Sequence, residues 1–113
     1  MAVALERMRK ICSALPNTSE GTHFGKSAFK VAGQMFATCG EEDGRWQVVV
    51  GLPAAQLKEL LEEGGPYSRY PRAAGALAIA IDASTDWKEV GRLVEESYRM
   101  RAPKPKEKKK KAR

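Results

Sequence analysis

Residues 24–52 read FGKSAFKVAGQMFATCGEEDGRWQVVVGL, and the period of their apolar positions decides the fold. Phe29 and Val31 flank Lys30, so side chains two apart share a face, as in a strand. Ala32-Gly33 marks a turn, and Met35 to Cys39 predict a second strand. The polar Gly40-Glu41-Glu42-Asp43-Gly44 reads as a hairpin tip with solvated carboxylates. Trp46, Val48, Val50 and Leu52 then alternate along a third strand. Successive strands joined by loops this short run antiparallel.

On the N-terminal side, residues 2–15 place Leu5, Met8, Ile11, Cys12 and Leu15 at helical spacing, and Pro16 with Asn17-Thr18-Ser19 ends that helix. On the C-terminal side, Pro53 occupies a first helical position, Leu57, Leu60 and Leu61 form a stripe, and Gly64-Gly65 stops it. Leu52 is a poor N-cap, so this helix starts weakly. Pro66 to Pro71 reads as irregular chain or a short edge strand. Leu77, Ile79 and Ile81 alternate with Ala76, Ala78 and Ala80 in a last strand. Asp86 caps a final helix with Glu89 at its third position and Trp87, Val90, Val94 and Tyr98 along its apolar stripe.

Helices and strands do not alternate one for one, which disfavours a parallel doubly wound sheet. The reading is α+β: an antiparallel sheet with its helices on one face, over the apolar phase Phe29, Val31, Trp46, Val48, Val50, Leu77, Ile79 and Ile81. The other phase (Lys30, Phe36, Thr38, Gln47, Val49, Ala76, Ala78, Ala80) is small and partly apolar, which suggests a partner surface.

The chain has 113 residues, enough for one domain, expected over residues 1–102. Its net charge of +6 is segregated. Residues 1–100 hold 12 basic and 13 acidic residues, for −1, whereas residues 101–113 hold eight basic residues and Glu107, for +7. Residues 103–113 contain Pro103 and Pro105 and no large apolar group, so they read as a disordered lysine-rich tail. No apolar run approaches the roughly 18–20 residues that span a bilayer. Glu6, Arg7, Arg9 and Lys10 interrupt any signal-peptide core, so a cytoplasmic location is expected. Cys12 and Cys39 then read as buried free thiols, and the Asn17-Thr18-Ser19 sequon as chance.

Candidate chemistry is sparse. The single histidine, His23, reads as a strand-end residue making a local hydrogen bond, with general base or ligand as the competing role. A structural zinc site needs about four ligands, and no glycine-rich phosphate loop is present, so no metal, cofactor or catalytic residue is assigned. No enzymatic turnover is expected. Pro66-Tyr67-Ser68-Arg69-Tyr70-Pro71-Arg72 interleaves tyrosine with arginine, a pairing that suits nucleic-acid contact; a packed edge strand is the competing reading. Together with Lys30, the nucleic-acid candidates are Tyr67, Arg69, Tyr70 and Arg72, then Lys104, Lys106, Lys108, Lys109, Lys110, Lys111 and Arg113.

Leu15-Pro16, Glu20, His23-Phe24-Gly25, Phe29-Lys30-Val31, Gly33 and Met35-Phe36-Ala37 resemble the N-terminal half of the MmcQ/YjbR family. Asp86-Trp87-Lys88-Glu89-Val90, Glu96-Ser97-Tyr98 and Ala102-Pro103-Lys104 resemble its closing helix. The resemblance implies a two-layer α-β(3)-α-β(2)-α fold of a bacterial protein. It also implies DNA binding through a double-wing arrangement, with no catalytic residue or cofactor. One departure is Ala76 after Gly75, where the family usually has an aromatic. The expected partner is DNA, bound electrostatically with little sequence preference, by a monomer or weak homodimer and with no membrane association. The alternatives are a small-molecule-binding protein or a protein-interaction module with no nucleic-acid role.

Overall fold

The computed structural model describes residues 2–102 apart from Phe24, Asp43 and Arg72. The elements are α1 (Ala2–Ser13), β1 (Thr18–His23), β2 (Lys26–Val31), β3 (Gln34–Glu42), β4 (Arg45–Gly51), α2 (Ala54–Glu63), β5 (Tyr67–Arg69), β6 (Ala76–Ala80) and α3 (Trp87–Arg101). Among the described residues, six strands form one sheet in the order β1-β2-β3-β4-β6-β5, every neighbouring pair antiparallel. The α+β class is as expected, but four strands precede α2 instead of three. The additional strand is β1, whose residues are exposed after half-buried Thr18. It carries no apolar alternation and is held by backbone pairing to β2, from Thr18↔Val31 to His23↔Lys26. Arg9 on α1 adds a two-pronged bond to Glu20, with Nε and Nη2 each 2.9 Å from a carboxylate oxygen.

Two rows of paired residues cross the inner face: Phe29–Ala37–Val50–Leu77 and Cys39–Val48–Ile79–Tyr67. All three helices close on these rows, through Ala4, Met8 and Cys12 of α1, Leu57 and Leu60 of α2, and Val90, Leu93 and Val94 of α3. Each fully buried Leu, Ile or Phe contributes about 1.5–3 kcal/mol, so this layer dominates stability. Trp46 and Trp87 pack half-buried against the same core, as the phase assignment requires. Cys12 and Cys39 are buried free thiols.

Phe36 departs from the expected phase. The register steps from Phe29↔Ala37 to Lys30↔Met35, which leaves Phe36 as the extra residue of a bulge. The bulge lets consecutive Phe36 and Ala37 both join the core, and Phe36 meets Tyr98 of α3 edge-on at 5.4 Å. Strict alternation had placed Phe36 on the opposite face.

Two further differences are local. Pro53 is the N-cap of α2, so the helix starts one position later than expected, and its extended ψ of 149° comes without a side-chain cap bond. Glu42 belongs to β3 and is half-buried, so it is not part of a solvated tip. By contrast, Asp86 caps α3 as expected, accepting from the Lys88 and Glu89 amides. The Ala32-Gly33 turn has φ of 53° and 77°, the two positive values of a tight hairpin. The lysine-rich residues 103–113 lie outside the described residues. Among the described residues no helix is long and apolar enough to cross a membrane.

Candidate functional site

The outer face of the sheet carries the row Ala28–Thr38–Val49–Ala78–Ser68. Its side chains are small, yet Ala28, Thr38 and Ala78 are buried without a helix above them. Tyr70 lies over the Thr38 part of this face, lining a common cavity with it. This residue follows β5 at one side of the sheet, while its hydroxyl accepts from Lys26 Nζ of β2 at 3.1 Å and donates to Glu42 Oε1 of β3 at 3.2 Å. Because β6 and β4 lie between β5 and β3, about 14 Å at the usual strand spacing, the chain after β5 must itself turn over the outer face to bring the Tyr70 hydroxyl to this pair.

Lys26 and Glu42 form an ion pair at this hydroxyl, with side chains 11% and 13% exposed. The Lys26 ammonium also lies 5.3 Å from the Tyr70 ring centroid. Burial pulls the Lys26 pKa down, but the bonds to Glu42 and Tyr70 outweigh it and the net shift is upward. The charge is therefore neutralised within the protein. The stem of Lys26 lies on Gly40: a Cβ there would stand 2.6 Å from its Cγ. A glycine inside a strand often marks such a close approach.

A second glycine has the same role. Arg101, at the end of α3, lays its guanidinium where a Cβ of Gly51 would be. Its Nη1 donates to the Ser97 carbonyl and hydroxyl, both at 3.2 Å. Ser97 is fully buried, accepts from the Gly51 amide at 3.1 Å and donates to the Phe36 carbonyl at 2.6 Å, locking α3 to β3 and β4. Between these two cations lies a cavity of about 210 Å³, lined by His23, Lys26, Tyr70 and Arg101 and by apolar Met35, Val49, Ala73, Ala74 and Ala76.

The candidates from sequence separate in space. Tyr70 enters this site. Tyr67 packs on the core side instead, in a second groove walled by Glu63, Asp82, Asp86 and Glu89, so carboxylates surround it. Burial chiefly pushes its hydroxyl pKa up, with the Glu89 charge adding to the shift. Lys30 is half-buried on β2 and Arg69 is exposed at the end of β5. Arg72, Lys104, Lys106, Lys108, Lys109, Lys110, Lys111 and Arg113 lie outside the described residues. The thiols face the core, and burial pushes Cys12 up to about 12 and Cys39 up to about 11, so both stay protonated near neutrality. Lys26, Glu42, Ser97 and Arg101 were missed as site residues, although Gly40 and Gly51 within strands were readable hints.

The sequence pattern of the YjbR family matches residues 13–100. The chain belongs to the YjbR family. No curated protein matches this YjbR chain. A crystal structure of Deinococcus radiodurans protein DR2400, described by the family domain DUF419, superposes with a TM-score of 0.72 at 19% identity. The match covers 86% of this chain and 77% of that one, and at this identity it establishes a shared fold. The residues of the YjbR domain that frame the outer-face cavity are thus mounted on a fold that recurs at low sequence identity.

Proposed function

We propose that this YjbR protein is a non-enzymatic DNA-binding protein whose affinity resides in its basic C-terminal segment. The observation that carries the reading is charge segregation: +7 over residues 101–113 against −1 over residues 1–100. The ion pairs of the domain support it. Arg9, Lys26, Arg92 and Arg99 are each engaged by a carboxylate, on Glu20, Glu42, Glu89 and Glu95 respectively. That leaves the domain a weak attractor for a polyanion. Lysine ammonium groups contact phosphates as point charges and read no base edges, so sequence preference is slight. The DNA-binding function associated with the YjbR resemblance agrees in kind. The double-wing mode would instead require the folded part to read DNA, with Lys30, Arg69 and Arg72 as its candidate cations and Tyr67 and Tyr70 as packing or stacking partners.

Fluorescent-duplex titration of the full chain beside a chain ending at Ala102 tests this. If about seven charges neutralise phosphates, log K falls with log salt at a slope near −6, a loss of about 10³- to 10⁴-fold between 50 and 200 mM. The shortened chain should lose nearly all affinity. Retained affinity with sequence discrimination in that chain would transfer the function to the folded domain. Failure of both chains to bind at 50 mM salt would end the DNA reading.

A further inference from the structure

We propose that the outer-face cavity is a binding site for a small carboxylate with a compact apolar body. The two cations at its border are not equivalent. Lys26 is neutralised by Glu42, whereas Arg101 pairs with no carboxylate among the described residues. Among the described residues, Nη1 of Arg101 bonds Ser97 and its Nε and Nη2 bond no acceptor, which leaves their donors for a ligand. Gly51 holds that guanidinium against the sheet, and a side chain at position 51 would displace it. Among the described residues the site therefore offers one positive charge without a carboxylate partner, on a planar donor fork, which matches a carboxylate.

The walls set the rest of the ligand. Met35, Val49, Ala74 and Ala76 offer apolar contact, so a bare inorganic anion would satisfy the guanidinium and leave these surfaces unused. A volume of about 210 Å³ lies below the usual range for drug-sized ligands, which selects a compact body in place of a nucleotide. One net charge favours a monoanion over a phosphate dianion. Of the basic segment only Arg101 enters this site, and the shortened chain ending at Ala102 keeps it, so the proposal stands whether or not the protein binds DNA.

The test is a titration of the full chain with isovalerate and benzoate, followed by amide chemical shifts. Isovaleramide serves as the uncharged isostere and inorganic phosphate as the bare anion. Saturable shifts centred on Val49, Gly51, Ala74 and Ala76 are expected, with a dissociation constant on the order of 1 mM. Isovaleramide should bind about tenfold more weakly, and Arg101→Gln should lose about tenfold or more toward isovalerate. Arg101 also bonds Ser97, so Ala74→Trp provides a second arm: Ala74 is exposed and lines the cavity, and its indole would occupy that space with the Arg101 and Ser97 side chains unchanged. This variant should abolish binding while circular dichroism reports a native fold. Non-saturating shifts, undiminished affinity in either folded variant, or equal binding of isovaleramide would overturn the proposal. Phosphate binding as tight as isovalerate would overturn the apolar part of the assignment.

Discussion

The two faces of the sheet are both buried, but by different means. On the inner face, Phe29, Val31, Val48, Val50, Leu77 and Ile79 meet three helices whose apolar stripes match them. On the outer face, Ala28, Thr38 and Ala78 are buried, and Thr38 shares a cavity wall with Tyr70 and with Lys26 of the ion pair that the tyrosine bridges. Apolar burial is roughly additive in area and needs no particular geometry, whereas a buried ion pair stabilises only when its bonds are complete. The comparison teaches that the inner layer holds the fold. The outer side leaves a cavity with polar groups at its edge.

The sharpest test of this division is Leu77→Ala on the inner face. Leu77 is fully buried, and its truncation should cost about 3 kcal/mol, read as a lower urea midpoint at unchanged slope. On the outer face, Glu42→Gln strands the Lys26 ammonium, whose side chain is 11% exposed. With some water reaching the pair, a loss of about 2 kcal/mol is expected, below the full penalty for breaking a buried pair. The double variant Lys26→Met/Glu42→Leu should recover most of that loss in the same urea titration, because the desolvated charge is gone. If Glu42→Gln proved as costly as Leu77→Ala, the outer ion pair would be a principal structural element and the division would break.

The smallest expected effect concerns pH. The Arg9 side-chain bond holds the Glu20 carboxyl below its ordinary value, with the Arg9 charge also contributing and burial opposing. A depressed carboxylate contributes stability that is complete above the unfolded pKa and is lost as pH falls through the folded value. Urea midpoints measured from about pH 6 down to about pH 3 should therefore decline less steeply in Arg9→Ala than in the parent chain. An identical decline would mean that the bond joining α1 to β1 is energetically silent.

Much of the inner layer was legible because its signals are local. Period-two alternation, the Ala32-Gly33 turn, the Gly64 stop and the Asp86 cap each act within a few residues, so the sequence determines these elements with little outside help. The separation of charge at residue 100 is equally a property of the chain. Strand β1 escaped such a reading because backbone pairing, with no apolar face, holds it in place. Phe36 was misassigned because a one-residue bulge reverses the phase, and its partner in the core, Tyr98, is remote in sequence. The candidate site was the least legible part. Tyr70 is 44 positions from Lys26, Ser97 is 46 from Gly51, and no short-range pattern relates them. Only the tertiary structure decides that the tyrosine after β5 meets an ion pair between β2 and β3, and that an arginine rests on a glycine. The physical reason is that these contacts arise from strand order and helix packing, which bring side chains together after the local elements have formed.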